Sequence, residues 1–364
     1  MNKAIKYRLY PTKEQAIFFA KTFGCCRKVY NLMLADRIEH YEKTGEELKN
    51  TPAQYKKDYP YLKEVDSLAL ANAQINLNKA FKNFFSKKNV GFPKFKSAKR
   101  SRKAYTTNNQ KGTIAIFDHA IRLPKIGAVK AKIHRCPNES WTLKSATISQ
   151  DKDGRFYVSV LFEFEDSIVS ITPIKAIGLD YKSDGLYMDS DGNIGSNHKY
   201  FRESQKKLAK AQRKLKHKNV GSKNYKKQQL RVAKIHKRIA NQRHDNLHKK
   251  STEIANLYDI VCVETLNMRA MSNKHFGNGK STLDNGYGKF LTMLGYKLAD
   301  RGKYLVKVDK FYPSSQICSC CGMRHEMPLS TRTYVCDCGL IVDRDKNAAI
   351  NILNEGLRLL KIAA

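Results

Sequence analysis

Two short cysteine clusters near the C-terminus constrain the fold more than any other stretch. Cys318-Ser319-Cys320-Cys321-Gly322 is separated by thirteen residues from Cys336-Asp337-Cys338-Gly339, and Asp343-Arg344-Asp345-Lys346-Asn347 begins four positions after Gly339. Paired knuckles of this kind offer four thiolates to one tetrahedral Zn²⁺, with Cys318, Cys321, Cys336 and Cys338 as ligands. Cys320 lies between two ligands and cannot easily be one, while His325 could replace a cysteine. The second knuckle is one residue tighter than the usual C-x-x-C. Four thiolates leave no open coordination position, so this zinc is structural. The acids that follow imply a different metal chemistry, provided that carboxylates elsewhere in the chain join them.

Two apolar strands supply them. Ala176-Ile177-Gly178-Leu179 runs into Asp180, and Ile260-Val261-Cys262-Val263 runs into Glu264. From residue 173 the pattern reads as three strands (with a hairpin around Asp191-Gly192), helices, a strand, the helix Tyr287–Asp300, the strand Tyr304–Val308 and a last helix from Asp345 to Leu360. That is the element order of an RNase H-like α/β fold, in which the ends of the first and fourth strands lie side by side and the last helix leans across them. Asp180, Glu264 and Asp345 would converge there although 84 and 81 residues separate them. Converging carboxylates need cations. Two Mg²⁺ ions fit, one activating a water and the other steadying a leaving oxygen. Asp343 competes with Asp345, but the latter is placed better at the helix start.

Upstream, Ala4–Tyr10 alternates as a strand, and Thr12 with Gln15 forms a capping box for a helix carrying Ile17, Phe18 and Phe19. Cys25–Tyr41 reads as a second helix with Cys25 and Cys26 as core thiols. Asp66 or Ser67 caps a third, with Leu68, Ala71, Ile75 and Phe81 on one side. Tyr105–Asn109 reads as a polar, hydrogen-bonding segment. Strand-like runs at Thr113–Phe117, Ile121–Leu123, Val129–His134, Thr142–Gln150 and Phe156–Phe164 predict a compact β-barrel that the first strand could join. A linker is expected over 166–175, and the Gly/Asn/Ser-rich stretch Ser272–Asn285 reads as flexible.

Charge narrows the partners. The chain carries 68 Lys+Arg against 33 Asp+Glu, a net +35, which calls for a polyanion, nucleic acid before anionic membrane. No apolar run is long enough to span a bilayer and no secretory signal opens the chain. Nine cysteines, four of them in knuckles, fit a reducing cytosol with a metal site better than a disulfide framework. Residues 91–103 interleave Phe92 and Phe95 with Lys94, Lys96, Arg100, Arg102 and Lys103, as phosphate contact with base stacking requires. Residues 201–250 hold 18 Lys+Arg, among them Lys207, Arg213 and Lys214, against Glu203 and Asp245. With Leu208, Ile239 and Leu247 recurring, this stretch predicts two helices broken near Gly221 that face nucleic acid.

These motifs together resemble the TnpB (OrfB) family of transposon-encoded RNA-guided DNA endonucleases, relatives of type V CRISPR effectors. The resemblance covers essentially the whole chain, through K-Y-R-L-Y-P-T-K-E-Q, G-C-C-R-K-V-Y-N, G-F-P-K-F-K, I-G-L-D at 177–180, V-C-V-E-T-L-N-M at 261–268, Y-P-S-S-Q-I-C-S-C-C-G and D-R-D-K-N-A-A-I-N-I at 343–352. It implies an α+β multidomain protein: a wedge β-barrel (1–10 and 91–172), a helical recognition domain (11–90), a RuvC nuclease domain (173–312 and 343–364) and an inserted zinc-finger module that binds target nucleic acid (313–342). It also implies a guide RNA from the transposon end, double-stranded target DNA cut beside a short motif, catalytic Asp180, Glu264 and Asp345, and zinc on the four cysteines. Tyr105, Thr106 and Asn108 are candidates for reading the motif. The alternatives are a nuclease-dead RNA-guided repressor, which the intact acid trio argues against, and a transposase proper.

Overall fold

The computed structural model describes residues 1–165, 168–273, 279–328 and 330–360, and the chain divides into the units Met1–Asp166 and Ser167–Ala364. The division falls where the linker was expected, although residues 166 and 167 of that linker lie outside the described residues.

The first unit is built on strand β1 (Asn2–Leu9), whose Ile5, Tyr7 and Leu9 point inward. Helix α1 (Lys13–Thr44) begins at the predicted capping box, Thr12 and Gln15 satisfying each other's backbone N–H. It is one continuous helix where two were expected. Nothing between Phe19 and Cys25 breaks it, because Gly24 stays helical and no proline intervenes. Cys25 and Cys26 are buried, as expected of core thiols. Asp66 caps helix α2 (Ser67–Ser86), whose buried stripe is Ala69, Leu70, Ala73 and Leu77. That stripe is rotated from the expected one, and Ile75 is exposed. The strands are β2 (Lys103–Asn108), β3 (Ala115–Ile116), β4 (Ala120–Leu123), β5 (Gly127–Lys132), β6 (Thr142–Gln150) and β7 (Phe156–Glu163). With β1 they form a seven-stranded sheet in the order β2-β6-β7-β1-β5-β4-β3. β2 was expected only as a polar, hydrogen-bonding segment over Tyr105–Asn109. Its inward Thr107 is polar, but the hydroxyl donates to Asp66 of the α2 cap and so can be buried.

The second unit has the predicted order. Strands β8 (Ala176–Tyr181), β9 (Tyr187–Asp189) and β10 (Ile194–Gly195) lead to the basic helices α3 (Tyr200–Lys216) and α4 (Lys223–Leu257), broken at 217–222 as anticipated. Strand β11 (Ile260–Glu264), helices α5 (Met268–Met271), α6 (Gly279–Asn285) and α7 (Tyr287–Ala299) and strand β12 (Tyr304–Val308) follow, then β13 (Thr333–Val335), β14 (Ile341–Asp343) and helix α8 (Arg344–Leu359). The main sheet runs β10-β9-β8-β11-β12, with β8, β11 and β12 parallel. The first and fourth strands of this half are therefore neighbours, as an RNase H-like order requires. Of the stretch read as flexible, 274–278 lies outside the described residues, but Gly279–Asn285 is helical, with Thr282, Asp284 and Asn285 buried.

Strand alternation then sorts the side chains. Ile177, Leu179, Val261 and Val263 face a core shared with Ile254 of α4 and Phe290, Leu294 and Leu298 of α7. Gly178 and Cys262 face α8 on the other side. A Cβ at Gly178 would lie 2.1 Å from Ala349 O, and one at Gly356 would lie 2.2 Å from Cys262 Sγ. Two glycines, one on the sheet and one on the helix, thus let α8 press against β8 and β11.

Candidate catalytic acids and metal centre

The paired register of the two parallel strands ends at Leu179↔Val263, so Asp180 and Glu264 are the next residues on adjacent strands. Both share the α8 side of the sheet by alternation. α8 starts beside them, and its first turn decides between the two competing acids. Asp343 is the N-cap, accepting from the N–H of Asp345 (2.9 Å) and Lys346 (3.1 Å). Asp345 lies inside the first turn with little exposure and is free of the capping role.

The electrostatics tie the three carboxylates together, since Asp180 feels both of the others. Burial, then Glu264 and Asp345, push Asp180 well above the usual carboxylate range. Burial also raises Glu264, against the Ser314 hydroxyl that donates to its Oε1 at 2.6 Å. Burial alone would raise Asp345 too, yet Lys182 Nζ at 2.5 Å and then the Arg344 guanidinium at 3.3 Å hold it below its ordinary value. The site thus holds more negative charge than its own side chains neutralise, which is the condition a divalent cation relieves. Its oxygens are less crowded than the zinc-type site: among the described residues, only the four cysteines bring three or more ligand atoms within 4.8 Å of one another.

Those four are Cys318, Cys321, Cys336 and Cys338, the predicted set. Cys318 Sγ lies 3.6 Å from Cys338 Sγ, and Cys321 Sγ 3.5 Å from Cys336 Sγ. Zn–S bonds of about 2.3 Å would set tetrahedral sulfurs roughly 3.8 Å apart, so the cluster fits zinc with little adjustment. The knuckles close through Gly322 (φ 78°) and Gly339 (φ 91°), whose N–H groups reach the carbonyls of Cys318 and Cys336. The tighter second knuckle is therefore a glycine-closed turn that still turns both sulfurs inward. Burial opposes it, but N–H groups of Cys321 and Cys320 bring the Cys318 thiol down to about 6, toward the thiolate that metals bind. His325 is outside the set; its Nε2 is 3.2 Å from Cys336 Sγ, a hydrogen-bonding neighbour of one member.

The expected nucleic-acid residues divide. Lys94, Arg100, Arg102, Lys103, Lys207, Arg213 and Lys214 are exposed, as are Phe92 and Phe95. Tyr105 is a correction: its ring is 6% exposed and packs on Phe19 and Phe23, because it points inward from β2. Lys96 is half-buried with its ammonium 3.7 Å from the Tyr30 ring centroid, and its backbone is tied to Asn31. Thr106 Oγ1 meets Thr147 Oγ1 at 2.8 Å, and Asn108 accepts from Asn72 at 3.4 Å.

Sequence reading missed the residues that hold the acids. Asn285 donates to the carbonyls of Lys182 (3.2 Å) and Ser183 (2.9 Å), fixing the chain just beyond Asp180. Neighbouring Asp284, buried, accepts from the N–H of Phe201 at the start of α3 and pairs with Arg243 of α4 at 3.0 Å. Tyr287 is fully buried, its hydroxyl has no hydrogen-bond partner among the described residues, and burial, then Asp180 and Glu264, raise its phenol. An acid and an amide in a Gly/Ser-rich stretch carry no periodicity to announce such roles.

Three family profiles match the chain: a helix-turn-helix domain over 1–46, a probable transposase over 159–275 and a Cas12f1-like TNB domain over 287–352. Residues 1–46 here hold a strand and one helix, β1 and α1. A Streptomyces pristinaespiralis protein named as a candidate RNA-guided DNA endonuclease is 36% identical, the match covering 98% of this chain and 90% of the relative. InsQ of Escherichia coli K12, named in the same way, is 31% identical over 97% of this chain and 92% of its own. The solved structure of Cas12f1 with sgRNA and target DNA superposes with a TM-score of 0.62, at 14% identity, over 97% of this chain and 99% of that one. At that identity the likeness is one of fold.

Proposed function

The chain belongs to the TnpB (OrfB) family, and from that premise we propose that it is an RNA-guided endonuclease cutting double-stranded DNA beside a short adjacent motif. What supports the chemistry is that Asp180 and Glu264 close adjacent parallel strands, that Asp345 lies in the first turn of the helix packed on those strands, and that both other acids push Asp180 upward. These three would hold two Mg²⁺ ions, and the excess negative charge they create supports that fit. When bound, the ions supply activation of a water and stabilisation of the leaving oxygen, which leaves 3′-hydroxyl and 5′-phosphate ends. The chain's own part is placement. The sheet fixes Asp180 and Glu264, Lys182 and Arg344 orient Asp345, and Asn285 holds the loop behind Asp180.

In this reading residues 1–10 and 91–172 form the wedge, 11–90 the recognition domain, 173–312 and 343–364 the RuvC nuclease, and 313–342 the zinc module that meets the target. A transposon-derived RNA and the DNA answer the net charge of +35, and the exposed basic residues of 94–103 and α3 meet their phosphates. Among the described residues no helix is long and apolar enough to cross a membrane, and the two full-length relatives are bacterial.

The test is Asp180→Ala in the protein purified with its RNA. Cutting is expected to vanish while RNA-dependent DNA binding persists. Unchanged cutting removes Asp180 from the site, and end-joining by the wild type would favour a transposase.

A further inference from the structure

The loop between β12 and the first knuckle places a residue in the acid site whose role the chemistry above leaves open. Ser314 is 4% exposed, and its hydroxyl donates to Glu264 Oε1 at 2.6 Å, the length of a charge-assisted bond. Its carbonyl accepts from Asn351 Nδ2 of α8 at 2.8 Å, and the same amide reaches Ile317 O at 2.6 Å. One turn earlier Asn347 also donates to Ile317 O (2.7 Å) and accepts from the N–H of Ser319 (3.0 Å). Asn347 and Asn351 are 0% and 3% exposed, so water does not compete for these bonds. Ser319 adjoins Cys318. A continuous buried line thus runs from the first knuckle, through two amides on α8, to the carboxylate at the end of β11.

We infer that Ser314 is a positioning residue for Glu264, and that the metal-closed knuckle holds Ser314 in place, so that the cysteine site sets how tightly the acid site binds divalent cations. The inference rests on the proposed role of the three acids. Among the described residues Glu264 has no cationic partner, unlike Asp345, and the Ser314 hydroxyl supplies a hydrogen bond that fixes its rotamer. Ser314 in turn has no regular secondary structure around it. Its position depends on Asn351 and on Ile317, which leads directly into Cys318.

The experiment measures Mn²⁺ binding to the full chain by the loss of the free-ion EPR signal, alongside zinc content and cutting at rising Mn²⁺. Ser314→Ala is expected to weaken Mn²⁺ binding roughly tenfold, the usual scale for a lost partner behind a metal ligand, with cutting restored at saturating Mn²⁺. Cys321→Ser, far from the acids in sequence, is expected to lose zinc and to weaken Mn²⁺ binding in the same direction. Wild-type Mn²⁺ affinity in Ser314→Ala, or cutting that stays depressed at saturation, overturns the positioning role. Zinc loss in Cys321→Ser with unchanged Mn²⁺ affinity overturns the coupling. Asp180→Ala is the control that separates the two failures: normal Mn²⁺ binding in that variant overturns the reading of the acids and the inference with it, whereas weakened binding there with wild-type binding in Ser314→Ala overturns the inference alone.

Discussion

Gly178→Ala tests whether close approach of α8 builds the acid site. The added Cβ would stand 2.1 Å from Ala349 O and 2.9 Å from both Leu353 N and Leu353 Cβ, whereas ordinary contact begins at 3.4 Å. Two of those three atoms are backbone, so no rotamer change relieves the clash, and α8 must retreat by more than 1 Å. Overpacking of this kind costs about 1–3 kcal/mol, and a backbone shift places it at the upper end. For a unit of this size, about 3 kcal/mol lowers the melting temperature by roughly 6–12 °C. The shift also carries Asp345 away from Asp180, and a misplacement of about 1 Å costs on the order of 10²-fold in rate. Gly24→Ala is the matched control: it is also a glycine, in the interior of α1, with nothing within 4 Å of its would-be Cβ. There the same methyl should stabilise by about 0.5–1 kcal/mol. Thermal melts of both variants with cleavage assays decide it. A Gly178→Ala protein that melts with the wild type and cuts at its rate would refute the packing argument.

Two other perturbations read different parts of the molecule. Lys297 on α7 donates to His248 O, Ser251 Oγ and Thr252 Oγ1 of α4 at 2.7, 2.8 and 2.6 Å, and burial, helped by Arg301, lowers its pKa to about 8. Its folded-state pKa lies below the unfolded one, so the unfolded chain binds the extra proton, and stability should rise with pH between about 8 and the ordinary lysine range near 10.5, by on the order of 3 kcal/mol. Denaturant titrations should lose that rise in Lys297→Met, and a variant that keeps it would clear Lys297. Replacing Lys207, Arg213 and Lys214 of α3 by Gln should weaken RNA or DNA binding across sequences and flatten the log–log salt dependence by about 2–3, near one per lost phosphate contact. An unchanged salt slope would turn that helix face away from nucleic acid.

The two central strands of the second unit's sheet were readable because they are buried on both faces. Ala176–Leu179 and Ile260–Val263 are short apolar runs, and the acid that closes each of them is conspicuous. The cysteine spacing was equally legible, since ligand type and loop length are local. What stayed hidden depends on partners distant in the chain. β2 read as a polar segment and not as a core strand because Thr107 is polar, and Asp66, 41 residues away, makes it a core position. Tyr105 looked like a base-reading residue, but strand parity turns it inward. Ile75 fits a helical stripe as well as Leu77 does, and only the sheet beneath selects Leu77. Ser314, Asn347 and Asn351 are small polar residues with no pattern of their own, and their roles exist only once α8 lies beside the knuckle.

The way α8 covers β8 and β11 also sets a timetable for synthesis. Asp180 emerges early in the second unit, its neighbour Glu264 comes 84 residues later, and the helix bearing Asp345 comes 81 residues after that. Contacts so distant close late in folding. Until α8 docks, the sheet face around Ile260 and Cys262 has no cover, and a growing chain carries an apolar strip that invites wrong pairing. The same delay keeps the two strand-end acids without their third member, so a ribosome-bound chain cannot assemble the acid trio until its last helix is made.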